Sequence, residues 1–272
     1  MNVLANLLSW TLLAACTLPV QAGEFRWPEG RKAAVSLAYD DALDSQLDNA
    51  IPALDRHGLK GSFYLTLAAQ TVRTRIVEWR AAAANGHELG NHSLFHQCSG
   101  KGPGREWVQP QQDLDTVSVA QMHAQVALAN TMLHAIDGGG ERTFTVPCGD
   151  RFASDGSYLD AVAPLFAGIK SAVGDVVDDM AALDPLAVPV IAPDGMSGAE
   201  MIALVEQAGR SGGMVNFTFH GIGGDHLAVT REAHGELLAY LAAHRDVYWT
   251  ATFLEQMRWV HAQRAPAQLP RP

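Results

Sequence analysis

Positive charge is scarce in this chain. Only four of its 272 residues are Lys; Lys and Arg together number 19 against 29 Asp and Glu, and the formal net charge is −10. An acidic surface without a basic run repels phosphate backbones, which argues against a nucleic-acid partner. Anionic glycans are disfavoured more weakly, since a local cleft can differ from the net charge. Cysteine is scarce too, at positions 16, 98 and 148. No internal repeat or long linker is visible, and no apolar run is long and unbroken enough to favour a membrane span. What the chain does have is apolar residues, 48% of the total. That is enough for a sizeable core in one large α/β domain or two small ones.

Residues 1–22 read as an export signal. Residues 4–20 are mostly apolar, and Val20-Gln21-Ala22 is a small-x-small cleavage pattern. No Lys or Arg precedes the apolar stretch, and Leu13-Ala14-Ala15-Cys16 resembles a lipoprotein signal in which Cys16 would carry a lipid anchor. Cleavage after Ala22 is the expectation, with a periplasmic or secreted protein as its consequence. Residues 23–272 then form a single domain with two cysteines, which permit a disulfide without requiring one.

The remainder alternates between strand and helix patterns. Strands are predicted at 34–39, 61–65, 87–89, 143–146, 169–173, 214–219 and 247–250. Helices are predicted from the first strand to His57, then over 72–84, 117–136, from the Ser197 capping box to about Ala208, and over 230–244, with a last one opened at Thr252-Phe253-Leu254-Glu255. Gly58 sits in a helix-stop position and Ser197-Gly198-Ala199-Glu200 reads as a capping box. The tail from Ala265 is expected to fray. The alternation argues for a parallel sheet, as an open doubly wound sheet or as a barrel; spacing does not decide.

Four polar clusters each follow a predicted strand: Asp40-Asp41, His92 to His96, Pro147-Cys148-Gly149, and His220. The C-terminal strand ends of a parallel α/β fold form one face, so these clusters are expected to converge. Two adjacent carboxylates in an apolar setting repel each other unless a cation neutralises them. His92 and His96 are four apart, which on a helical turn places them on one face. One Asp with two His makes a three-ligand set that leaves a position for water, the pattern of a catalytic zinc site. The second Asp is then free to act as general base.

These residues resemble the motifs of the polysaccharide deacetylase family, the NodB-homology group or carbohydrate esterase family 4. Its first motif, Thr-Phe-Asp-Asp-Gly, corresponds to Ala38-Tyr39-Asp40-Asp41-Ala42. Its second, His-Ser/Thr-x-x-His, corresponds to His92-Ser93-Leu94-Phe95-His96, led in by Gly86-His87-Glu88-Leu89-Gly90-Asn91. The late strand ending Phe217-Thr218-Phe219-His220 is similar to its fifth. The resemblance implies an incomplete (β/α)7 barrel, TIM-barrel-like, acting as a metal-dependent deacetylase on an acetylated glycan. It implies Asp41, His92 and His96 as ligands of a divalent metal, with zinc expected, Asp40 as base and His220 as the acid for the leaving group. The Cys148 backbone N–H would help hold the oxyanion. The third motif, Arg-x-Pro-x-Gly, is here Thr145-Val146-Pro147-Cys148-Gly149. The Arg that pairs with the base is absent, and the fourth, Trp-ending motif is not recognisable between Asp175 and Asp194.

Arg151 is the nearest substitute cation in sequence, with a surface role as the alternative. Trp107, in the irregular stretch 97–115, and Pro147 are candidate substrate contacts; Trp107 would stack on a sugar ring or simply pin the loop. Cys98 and Cys148 follow neighbouring strands, so a disulfide between them would tie that loop to the rim. A non-glycan amide hydrolase on the same fold and a glycan-binding protein with a decayed site are the competing readings.

Overall fold

The computed structural model describes residues 25–102 and 104–264. Residues 1–22, expected to be an export signal and holding Cys16, and the tail from Ala265 lie outside the described residues. An eight-stranded, wholly parallel sheet organises the chain. Its strands are β1 (Ala33–Asp40), β2 (Ser62–Leu65), β3 (Glu88–Asn91), β4 (Thr143–Thr145), β5 (Gly168–Val173), β6 (Val188–Val190), β7 (Met214–Phe219) and β8 (Tyr248–Ala251).

β1 explains the closure. Along one edge it pairs with β7 from Ala34 to Tyr39. Its other edge is shared, with β8 at Ala33–Ser36 and β2 at Ala38–Asp40. The ring then runs β2-β3-β4-β5-β6. It returns to β7 through the bridge of Ile191 with Phe217, in which Ile191 N donates to Asn216 O and Thr218 N donates to Ile191 O. Seven strands therefore close a nearly complete (β/α)7 barrel, and β8 is wedged beside the start of β1. Seven strands are also expected from the sequence, but that set includes 247–250 in place of β6, a three-residue Val-Pro-Val strand whose proline is unusual inside a sheet.

Alternation along the strands sets the barrel's chemistry. Val35, Leu37 and Tyr39 of β1, with Val215, Phe217 and Phe219 of β7, join the large outer cluster packed under the helices. The intervening positions are small or polar: Ser36, Ala38 and Asp40, then Asn216 and Thr218, all buried. β1 is fixed from outside as well. Tyr39 stacks between Phe63 and Phe219, and its hydroxyl lies 2.7 Å from Nε2 of buried His234. Ser197 with Glu200 forms the expected capping box. The helix expected over 72–84 is broken at Arg75, which pairs with Asp44, Asp48 and Glu78.

Candidate active site

Asp40 ends β1 and is 2% exposed. The backbone turns sharply after it, with Asp41 at φ 79° and Ala42 at φ 60°. Positive φ is disfavoured for residues with a Cβ, so the turn swings the Asp41 carboxylate over the barrel mouth at some conformational cost. Four more residues around the mouth share this feature: Ser93 (φ 63°), His96 (φ 51°), Cys148 (φ 57°) and Leu227 (φ 45°). Such strain persists where surrounding structure over-determines it, and it clusters at functional sites.

His92 and His96 come together differently from the expectation. Residues 92–97 form a folded loop rather than a helical turn. Asn91 organises it: its amide donates to Val126 O and Asn130 Oδ1, while its own Oδ1 accepts the Ser93 N–H. Ser93 Oγ in turn accepts the His96 N–H at 3.0 Å. Just before Asn91, a Cβ at Gly90 would sit 2.4 Å from the Tyr64 ring, so only glycine lets β3 lie this close.

The ligand atoms of Asp41, His92 and His96 all lie within 4.8 Å of one another. His92 Nδ1 is 2.8 Å from Thr145 O, and a carbonyl can only accept, so Nδ1 carries the proton. In the neutral ring Nε2 then presents a lone pair toward Asp41 Oδ1, 3.3 Å away; His96 Nε2 is 3.2 Å from the same oxygen. That oxygen is buried and makes no hydrogen bond. Converging acceptors call for a cation, and two imidazole nitrogens with a carboxylate suit zinc. Without one, a proton must serve. Burial pulls the His92 pKa down, but the Asp40 charge and its contact with Asp41 outweigh this and raise it to about 9.

The other carboxylate oxygen of Asp41 meets His226 Nε2 at 2.8 Å, with His220 Nε2 at 4.0 Å. Burial opposes the charge on Asp41, yet His226 and the two other imidazoles hold its pKa well below the usual carboxylate range. Asp40 lies deeper. Burial raises its pKa, against the positive influence of His92 and His220. His220 is pulled down by burial while both Asp charges push it up.

A cavity of about 950 Å³ opens above these groups. Asp40, Asp41, His92, His96, His220 and Cys148 all border it, so the clusters expected to converge do so. Trp107 stands at its edge, 53% exposed. Pro147 does not line it and is buried beneath the turn Pro147–Gly149. Cys98 and Cys148 form a disulfide with Cα atoms 5.8 Å apart, tying the 97–115 loop to that turn. Arg151 is exposed and lies away from the cavity, which favours its surface alternative.

Two participants escaped the sequence reading. His226 sits on the loop after β7, whose shape is set by Gly221 N donating to His226 O and by Ser45 N donating to Asp225 Oδ2. The glycine-rich stretch between His220 and His226 was the available signal. Lys170 lies in mid-β5, 1% exposed, and lines the cavity floor. A lysine inside a buried parallel strand is itself unusual.

Comparison with known proteins agrees with the fold and the family resemblance. Residues 28–162 match the family described as Polysaccharide deacetylase. Over that span the chain belongs to the polysaccharide deacetylase family. A Mycobacterium smegmatis structure assigned to the polysaccharide deacetylases superposes with a TM-score of 0.62 at 18% identity, covering 91% of this chain and 97% of that one. The peptidoglycan deacetylase PdaC of Bacillus subtilis gives 0.53 at 16% identity, covering 85% and 92%. A carbohydrate esterase family 4 pseudoenzyme of Bacillus anthracis also gives 0.53, at 15% identity over 84% and 66%. A gellan lyase from a Bacillus species is 25% identical over 123 residues, 45% of this chain but only 4% of that much longer protein. At these identities the structural likenesses speak for the fold. Since a pseudoenzyme shares it, activity must be argued from the site.

Proposed function

We propose that this protein is a metal-dependent hydrolase that removes acetyl groups from a carbohydrate. The observation that carries the reading is the convergence of Asp41, His92 and His96 on one point, with Asp40 and His220 beside it. Held by those three side chains, a zinc ion would supply Lewis acidity toward the acyl carbonyl and lower the pKa of water.

The chain's own residues divide the remaining work. Asp40, its Oδ2 3.9 Å from His92 Nε2, takes the proton of the attacking water. The Cys148 N–H, presented by the turn after β4, steadies the carbonyl oxygen as it gains charge. Burial disfavours the imidazolium form of His220 while the Asp40 and Asp41 charges favour it; in that protonated form His220 delivers its extra proton to the leaving nitrogen or oxygen and ends as the neutral imidazole. Trp107 at the rim offers a flat face to a sugar ring. His226 holds Asp41 by its second oxygen and so orients the donor set.

The Cys98–Cys148 disulfide supports an oxidising compartment, and with it the exported, periplasmic or secreted placement expected from residues 1–22. A cell-envelope or extracellular glycan is the substrate class that follows. The test is acetate release from a panel of N- and O-acetylated oligosaccharides, with small acetylated amides as the competing class. Turnover of acetylated sugars that disappears on chelation and returns with zinc supports the reading. Turnover of the small amides alone would replace it, and no turnover of any compound would favour a binding protein.

A further inference from the structure

Lys170 is the most deeply buried cation bordering the cavity, and the division of labour above gives it no task. It projects from β5 where Lys170 pairs in register with Thr145. Its Nζ donates to Ser36 Oγ at 3.0 Å and stands 4.7 Å from the centre of the Phe253 ring. An ammonium has three donors, and a buried charge is costly without a counter-charge.

The charges of Asp40, at the end of β1, and Glu88, at the start of β3, favour its protonated form across the barrel interior, without a direct ion pair to either. Glu88 is already engaged: its carboxylate accepts from Ser62 Oγ at 2.6 Å, from Leu254 N at 2.9 Å, and from Thr143 Oγ1. Asp40 is not. Its Oδ1 is buried without a hydrogen bond, and it borders the same cavity as Lys170. Arg142, the other deeply buried guanidinium or ammonium among the described residues, is spent on Asp137 and on Leu89 O. Burial drives the Lys170 pKa down to about 7 while Asp40 and Glu88 push it up, and Lys170 in return lowers that of Asp40.

We propose that Lys170 is a positioning residue for the hydrolytic base: rooted on Ser36 inside the barrel, its ammonium form is the buried counter-charge that favours the ionised Asp40 carboxylate at the cavity without touching it. The inference rests on the assignment of Asp40 as base. It places on β5 the positive charge that Thr145, its neighbour in register on β4, cannot supply. A plug that merely fills the barrel would need Lys170 for packing and for Ser36, and would have no coupling to Asp40.

The experiment measures kcat and KM for acetate release, zinc content and melting temperature in Lys170→Met, Ser36→Ala, Asp40→Asn and the Asp40→Asn/Lys170→Met double variant. Methionine keeps most of the side-chain volume and removes the charge. Expected for Lys170→Met are a kcat lower by about 30-fold, a KM within about threefold, one zinc per chain and an unreduced melting temperature. In the Asp40→Asn background the same change should cost nothing further, because its partner is already gone. Should Lys170→Met fail to fold, Ser36→Ala decides: unrooting the ammonium should lower kcat by about threefold or more with zinc and KM retained, and a normal kcat would overturn the proposal. A normal kcat in Lys170→Met, or losses that multiply in the double variant, would also overturn it while leaving Asp40 in place. A normal kcat in Asp40→Asn would instead remove the base assignment, and Lys170's role with it.

Discussion

The two halves of the barrel contribute in different ways. β1 to β4 carry the proposed donor set: Asp41, His92 and His96 sit on the loops after β1 and β3, and the Thr145 carbonyl at the end of β4 fixes the His92 tautomer. Each of these residues belongs to a short run of sequence, and the family match over 28–162 falls on this half. β5 to β7 contribute single residues: Lys170 from β5, His220 after β7 and His226 six residues later. His220 and His226 reach the cavity because β7 pairs directly with β1, with Ala34 opposite Met214, and Lys170 because β5 pairs with β4, so the second half depends on pairing between strands distant in sequence.

The largest expected effect tests whether both halves are needed. Asp40→Asn removes the proposed base from the first, and His220→Ala removes the proposed acid from the second. Each should lower kcat by about 100-fold or more while retaining zinc. Near-normal turnover in His220→Ala would reduce the second half to scaffolding.

A pH measurement sharpens the account of the donor half. His92 in the metal-free protein is raised to about 9, so below that pH it holds a proton that zinc must displace. Zinc affinity should therefore fall by about tenfold for each unit of pH lowered below 9 from this group alone, with a proton released on binding. Calorimetric titration at two pH values in buffers of different ionisation enthalpy reads both quantities. An affinity independent of pH would mean that His92 is already free of its proton.

What the sequence allowed one to read follows the same division. The two carboxylates, the histidine pair and His220 were legible because each follows a strand and they fall into recognisable motifs. The reason given for the histidine pair was mistaken in detail, since Asn91 and the left-handed Ser93, rather than a helical turn, bring the rings together. β6 was not legible, because three residues with a central proline make too short and atypical a pattern. His226 and Lys170 were missed because neither has a motif partner. One acts through a loop whose shape depends on Ser45, some 180 residues away, and the other through the barrel interior.

His226 gives an intermediate effect. It is 56% exposed and touches Asp41 through a single 2.8 Å contact. His226→Ala should weaken zinc binding by about tenfold, the lower end for residues that orient a metal ligand. Competition with a calibrated chelator measures this, and an unchanged affinity would show that Asp41 is held well enough by its own turn.

The smallest expected effect concerns the strained turn. The family motif has glycine where this chain has Ala42, and Ala42 sits at φ 60°. Ala42→Gly should stabilise the protein by about 1 kcal/mol, partly offset by the greater freedom of glycine in the unfolded chain. Its melting temperature checks this, and a loss of stability would mean that the Ala42 methyl packs more usefully than its conformation costs.

The most direct test of the central claim is the zinc content of stripped and reloaded protein, measured for the wild type, His92→Ala and His96→Ala. One zinc per chain in the wild type and none retained in either variant after gel filtration is the predicted result. Full retention in both variants would contradict the donor set on which the proposed function is built.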